Sequence, residues 1–437
     1  MVFELLDIFF LILSFYLLKD LKSKNTQLSL RIIFGLILGT VYGFLLKIVP
    51  NDLLLTIVKN LLYFVGHAYL ALLKMLVIPL ILTSIIHAIL NLGSDNGSYV
   101  KKISFISVGM LLGMTSLASL IGLLIGKVFD VGKGLKIPEI AAMPAHAYKG
   151  FVETLLGMLP SNPAAVLVQE NTIAVVLLAV FFGVAARKLD VADHDKMNTF
   201  RQFIASLFAI VKSLAKLILD LTPYGIFALI SLLLFEQGIA ILWSLLNFIM
   251  AMYVAMCLVF LMHLTILIFF RISPWKYLKR AINPLFVAFT TRSSFGTLPI
   301  TEETLRDNFK TNQVIATFVP SIGASIGMNA CAGIFPAMLV VMTLTIMQQP
   351  LTVNTVLMVM FINAVASLGI SGIPGTAYIA ATITLTSLNL PYAIVALVQG
   401  IDPIIDMGRT ATNVNGVMTT ALVVDHLDKM PAELHRK

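Results

Sequence analysis

The chain has 437 residues, of which 59% are hydrophobic and 12% charged, with a formal net charge of +8 and a mean hydropathy of +0.96. A soluble domain carries about twice that share of charge, and the strands of a porin alternate where these apolar runs are continuous; both classes are excluded. The basic residues gather in short clusters at Lys19–Arg31, Lys101–Lys102, Arg187–Arg201 and Arg271–Arg280. That is the pattern of cytoplasmic loops in a multi-pass membrane protein, with no nucleic-acid partner.

In chain order, residues 3–18 form a short apolar segment ahead of Lys19, Lys22 and Lys24. At that length a short spanning helix and an interfacial one both fit. Glu4 and Asp7 and the missing small-residue cleavage site argue against a cleavable signal. Spans are predicted over about 30–48, 61–92, 103–128, 164–187, 203–234 and 239–270. Between them, 130–162 carries Pro138, Pro144 and Pro160 and reads as an outer loop. Beyond Arg271 the apolar pieces are broken. Residues 275–307 are interrupted at Thr290–Ser294 and Gly296–Pro299, 312–346 at Pro320–Asn329, and 351–388 at Ser367–Gly375. A broken segment followed by a helix thus occurs twice, the sequence mark of a transporter built from inverted repeats around a midplane site. Irregular backbone at that depth is tolerated only inside protein or along a cavity.

The last apolar stretch, 392–424, carries Asp402, Asp406, Arg409 and Asn413. At about 100° per residue these positions share one helical stripe. Ionisable groups at membrane depth face a bundle interior or a substrate path. A structural ion pair between Asp406 and Arg409 is one reading. A zwitterion site is the other: a carboxylate for an ammonium, a guanidinium for a carboxylate, an amide for either. Cys257 and Cys331 lie in apolar runs and predict no disulfide framework. His67, His87 and His263 lack metal-ligand spacing and read as packing residues, no nucleophile–base pair is visible, and an enzyme is not expected.

Three motifs go further. They are Thr291-Arg292-Ser293-Ser294 with Gly296-Thr297-Leu298-Pro299, then Gly372-Ile373-Pro374-Gly375, and Asp402-Pro-Ile-Ile-Asp406-Met-Gly-Arg409-Thr410-Ala-Thr-Asn413. From about residue 29 onward the chain resembles the dicarboxylate/amino acid:cation symporters, the glutamate-transporter fold. The resemblance implies an all-α polytopic protein with eight transmembrane helices and two re-entrant helical hairpins, assembled as a homotrimer among membrane lipids in the cell membrane. Residues 1–28 would be an extra N-terminal membrane-associated segment. Residues 29–92 and 130–234 would form a scaffold and trimerisation domain, and 93–129 with 235–425 a transport domain moving by an elevator mechanism. Within it lie hairpin 1 (about 275–307), a seventh helix (312–346), hairpin 2 (351–388) and an eighth helix (392–424). Residues 426–437 would be a cytoplasmic tail.

By the same resemblance Asp406 would bind the substrate ammonium, with Asn413, Ser293 and Ser294 holding its α-carboxylate. Arg409, Thr410 and Cys331 would line the substrate, Asp402 would brace Arg409, and the backbone around Ile373, Pro374, Gly375 and Ala377 would close over it. No cofactor is expected. Sodium-coupled members carry Asn-Met-Asp-Gly-Thr where this chain has Gly327-Met328-Asn329-Ala330-Cys331. The usual terminal Asp of the last helix is Val417, third-helix ligands fall at Leu111 and Met114 beside Thr115, and a usual Thr is Ile370. Sodium needs hard oxygen ligands. No metal site is therefore expected, with Ser325, Ser367 and Asn413 as residual candidates, and a proton takes sodium's place as coupling ion. The pattern is most similar to the family's L-cystine uptake branch. The alternatives are a sodium-coupled glutamate, aspartate or C4-dicarboxylate symporter, and a channel or substrate sensor on the same fold.

Overall fold

The structure, a computed structural model, describes residues 2–24, 26, 28–48, 53–91, 98–135, 159–168, 172–370 and 377–434. Among these the chain is wholly helical. The first part comprises α1 (Val2–Ser23), α2 (Leu28–Leu46), α3 (Leu53–Leu90), α4 (Ser98–Val128), α5 (Pro163–Val168), α6 (Thr172–Ala192), α7 (His194–Leu219), α8 (Thr222–Gln237) and α9 (Ala240–Phe269). The second comprises α10 (Pro274–Thr291), α11 (Ser294–Glu303), a π-turn (Thr304–Asn308), α12 (Gln313–Gly323), a π-segment (Asn329–Ile334), α13 (Phe335–Ile346), α14 (Val353–Ala366), a 3-10 turn (Ser367–Gly369), α15 (Ala377–Ser387), α16 (Ile394–Gln399) and α17 (Asp402–Leu434).

The exterior is apolar, and charged and amide side chains are enclosed within the apolar interior. Phe64, Phe105, Trp243, Phe269 and Phe286 are exposed, whereas Asp402, Asp406, Arg409, Asn413 and Asn415 are buried. By length and hydropathy, Lys102–Val128, His194–Leu219, Ile241–Phe269 and Asn329–Ile346 can each cross a membrane. The protein is multi-pass.

Several predicted boundaries move, each for a local reason. The span expected over 203–234 is two helices: α7 ends at Leu219, and Pro223, in the first turn of α8, has no N–H to donate back into α7. At this break Asp220 pairs with Lys22 at 3.2 Å and Arg31 at 3.5 Å. Helix α3 begins at Leu53 rather than 61; Lys59, inside the added turns, lies 4.6 Å from the centre of the Phe235 ring. The stretch expected as one helix over 392–424 is divided at Gly400–Ile401, so Asp402 opens α17. That helix does not stop at a tail beginning at 426 but continues to Leu434. Asp425 supports the extension by accepting from Asn312 N at 2.9 Å and pairing with Lys429 at 2.6 Å.

The N-terminal segment is a full helix of 22 residues, about 33 Å at 1.5 Å per residue. It packs antiparallel to α2. Phe10 stacks on Tyr42 near one end, Lys22 and Arg31 share Asp220 near the other, and Phe15 meets Tyr224 and Phe227 between them. Its length is that of a helix able to cross a bilayer.

Helix α2 reaches α8 through glycines one turn apart. A Cβ at Gly39 would lie 2.7 Å from Phe227 O, and one at Gly43 2.7 Å from Ser231 O. Close backbone approach of this kind is what holds helices together where lipid removes the hydrophobic drive. Gly39→Leu should therefore lower stability in detergent by about 1–3 kcal/mol. Gly113→Leu, where a side chain meets open space, should leave it unchanged. Thermal unfolding of the two variants side by side checks this.

Candidate functional site

The site is assembled where helices are interrupted. Hairpin α10–α11 turns at Arg292, whose φ of 55° is left-handed, and Ser293 caps α11 by accepting from Gly296 N at 3.0 Å. Pro320 lies near the end of α12, after which 324–328 leave the helix and Gly327 takes φ +69°. Several backbone groups at the break and in the π-segment beyond it are bonded to other elements or to side chains. Gly327 N donates to Ser367 O at 3.2 Å, Asn329 Nδ2 donates to Gly327 O at 3.1 Å, Ala330 N donates to Asn413 Oδ1 at 2.8 Å, and Asn363 Nδ2 donates to Gly333 O at 3.1 Å. The break is held open by side chains from α14 and α17.

Against it runs the charged face of α17. Arg409 is fully buried and its Nη2 donates to both Asp402 Oδ1 and Asp406 Oδ1, the second at 2.9 Å. Its guanidinium lies 4.5 Å from the centre of the Phe335 ring, and Phe335 in turn meets Tyr378 edge-on at 6.2 Å. Two carboxylates face one guanidinium, a formal excess of one negative charge. Asp406 Oδ2 and Arg409 Nε and Nη1 are buried without a protein partner. Such groups at this depth are costly unless something completes them.

Of the sequence-predicted residues, Asp402, Asp406 and Arg409 meet one another, and Asn413 meets Cys331. Asn413 donates to Cys331 Sγ at 3.0 Å and so joins the break to the charged face. Thr410 is buried one position beyond Arg409, and Ala377 is buried at the start of α15. Ser294 lines a small cleft with Leu298, Thr301, Pro320, Ala324, Val414 and Val417, next to Asn413. Ile373, Pro374 and Gly375 lie outside the described residues. Asp402 contacts Arg409 as expected of a brace.

Sequence reasoning missed Phe335 and Tyr378, which wall the guanidinium. Phe335 stands four residues after Cys331, the helical repeat that could have flagged it. Arg292 was named only within its motif, yet its charge lies within electrostatic reach of Asp406.

The sodium-type positions converge as well, on a different chemistry. Leu111, Met114 and Val417 form one apolar cluster, joined by Met110, Met262 and Ile266. A Cβ on Gly327 would fall inside Leu111, and one on Gly323 would meet Val417. Of the residual oxygens, Ser367 Oγ donates to Ala364 O at 2.7 Å, Asn413 Oδ1 is taken by Ala330 N, and Ser325 is half-buried. Among the described residues no group of three His, Cys, Asp or Glu side chains could hold a metal ion.

The profile of the sodium:dicarboxylate symporter family matches residues 28–427. The chain belongs to that family. It is 35% identical over 419 residues to the L-cystine uptake protein TcyP of Bacillus cereus, covering 92% of this chain and 90% of that one. It is 36% identical over 425 residues to an uncharacterized symporter of Haemophilus influenzae, covering 94% and 96%, and 33% identical to TcyP of Bacillus licheniformis, covering 93% and 91%. A member of this symporter family is a membrane transporter and not an enzyme. Residues 1–27, which include α1, lie outside the match.

Membership sharpens the meaning of Gly327. An L-residue there would carry left-handed strain of about 1–2 kcal/mol as well as the clash with Leu111. Gly327→Ala should destabilise by more than the strain alone, and adding Leu111→Gly, which removes the Cβ that the new methyl meets, should recover part of the steric share but not the strain. A double-mutant cycle on thermal stability separates the two.

Proposed function

We propose that the chain is an L-cystine uptake transporter of the cell membrane, driven by protons. One observation carries the reading: the buried Asp402–Arg409–Asp406 triad with Asp406 Oδ2 and Arg409 Nε and Nη1 unpartnered. An α-ammonium at Asp406 Oδ2 offsets the excess negative charge. A carboxylate at Nη1 meets a free N–H of the guanidinium in a charge-assisted hydrogen bond. Cystine offers both groups twice. One half would use Asp406 with Asn413, Ser293 and Ser294, and the other would set its carboxylate on Arg409, with the disulfide near Cys331. Relatives named L-cystine uptake proteins, at 35% and 33% identity, support this substrate.

In this reading α4 and residues 235–425 move as the transport domain, with hairpin α14–α15 as gate, against a scaffold of 29–92 and 130–234 in a homotrimer. Two apolar clusters stay on one side of such a division, α1, α2, α3 and α8 in one and α9, α10, α12 and α17 in the other, while a larger one crosses it and joins Ile226 and Ile230 of α8 to Phe248 of α9 and Phe335 of α13. Leu111, Met114, Val417 and Gly327 leave a sodium ion without ligands, which favours the proton. The family's own description favours a second reading, a sodium-coupled dicarboxylate symporter.

Purified protein in liposomes decides between them. Cystine, not aspartate, should accumulate under an inward proton gradient, and replacing sodium by choline should leave uptake unchanged. Steep sodium dependence at fixed pH and ionic strength would overturn the coupling. Asp406→Asn, which keeps size and removes the anion, should weaken cystine binding by about 2–5 kcal/mol while the oligomer elutes normally; unaltered affinity by calorimetry would remove Asp406 from the site. Arg409→Ala should abolish cystine binding and harm a neutral amino acid less, and equal losses would leave only the structural ion pair.

A further inference from the structure

Asn413 and the free groups of Arg409 mark two ends of a ligand, and the side chains between them are soft. Asn413 Nδ2 donates to Cys331 Sγ at 3.0 Å, and the Arg409 guanidinium sits over the Phe335 ring, 4.5 Å from its centre. Cys331 belongs to the π-segment and Phe335 is the first residue of α13. They are four residues apart, so their side chains are neighbours on one face. Cys331 also lies within electrostatic reach of Asp402, Asp406 and Arg409. A molecule that reaches from Asn413 to Arg409 therefore passes along the turn from Cys331 to Phe335.

The ring is held in place by two others. Phe248 of α9 meets Phe335 edge-on, with centres 6.3 Å apart and planes at 89°, and Tyr378 of α15 meets it at 6.2 Å and 65°. Phe335 is fully buried. Tyr378 stands at the start of α15, the second arm of the hairpin read above as gate. Opening of that hairpin takes Tyr378 away and leaves Phe335 resting on Phe248, bared toward the substrate. A thiol and an aromatic ring offer the middle of a ligand no strong hydrogen-bond partner. A hydroxyl or amide placed there would lose its bonds to water without replacement. Divalent sulfur is favoured instead, because it is polarisable and packs well about 5 Å from an aromatic ring, often at the edge.

We propose that Phe335 is a specificity-determining residue: its ring, next to Cys331, is the platform for the disulfide of the bound substrate and selects sulfur over carbon in the middle of a bis-amino acid. The inference rests on the cystine reading above, and it separates what recognises the ends of the substrate from what recognises its middle. Asp406, Arg409, Asn413 and the hairpin serines read ammonium and carboxylate groups. Every bis-amino acid of the same length carries those groups, so the ends alone do not single out a disulfide. Phe335 supplies the difference, and Tyr378 acts through it as a positioning residue.

Three ligands with identical ends and equal chain length test this on the full-length protein. They are cystine, cystathionine, in which one sulfur is a methylene, and diaminosuberate, in which both are. Calorimetry on the purified wild type should rank them in that order, each sulfur improving affinity by about 2- to 10-fold. Phe335→Leu keeps an apolar side chain and removes the ring; it should bring the ratio of cystine to diaminosuberate affinity toward one. Loss of the ring's contact with Arg409, or a general loosening of the site, weakens all three ligands alike and leaves the ratio where it was. An unmoved ratio therefore overturns the proposal, as does a wild type that binds diaminosuberate as tightly as cystine. A wild type that binds none of the three overturns the cystine reading, and this inference falls with it. Should Phe335→Leu not fold, Phe335→Met, also without a ring and adaptable in packing, takes its place and is read by the same ratio.

Discussion

A guanidinium buried in the membrane interior is tolerable only with its charge matched. Arg409 is fully enclosed, and the rest of the transport region is arranged so that Asp402 and Asp406 reach it from the same helix. This constraint fixes the rotation of α17 and, with it, which face Asn413 and Asn415 present to the π-segment. It also explains why α17 starts at Asp402. A carboxylate in the first turn is favoured by the helix dipole, and the same residue is the outer partner of the guanidinium.

The second constraint is the broken backbone that faces this helix. Opening α12 at residues 324–328 frees buried peptide groups in a medium without water. Asn329, Asn363 and Asn413 satisfy them from three sides. Asparagine suits the task because one amide offers a donor and an acceptor without charge. Asn363 is itself tied to Ser119 and Thr384, so α4, α14 and α15 are fastened to the same break. Asn413 of the candidate substrate face and His263 of α9 therefore meet the same π-segment, at Ala330 and at Asn329. The wall of Leu111, Met114 and Val417 closes the position where hard oxygens would be needed.

Outside this core the protein is held by shape more than by charge. Glycines of α2 admit the backbone of α8, aromatic stacking docks α1, and exposed Phe and Leu side chains face lipid. Basic residues at the helix ends pair locally, as Arg187 and Arg201 do on Asp190.

Hydropathy, the two interrupted segments and the charged stripe of 402–413 were legible in the sequence. These features follow from the solvent and from helical periodicity, which act on residues near one another in the chain. Motifs carried the family, and the departures at Gly327, Asn329 and Val417 were visible one position at a time. The break at Pro223 was legible in principle, yet the apolar run across 203–234 concealed it, and the continuation of α17 to Leu434 depended on Asp425 reaching Asn312. Only the tertiary structure decided that Leu111, Met114 and Val417 meet as a single cluster, that Phe335 and Tyr378 wall Arg409, and that His263 lies between Asn329 and Asn415. Those partners are separated by 66 and 152 residues in the chain. Local pattern carries no information on such distances; a histidine in an apolar run looks like packing until folding places two amides against its ring.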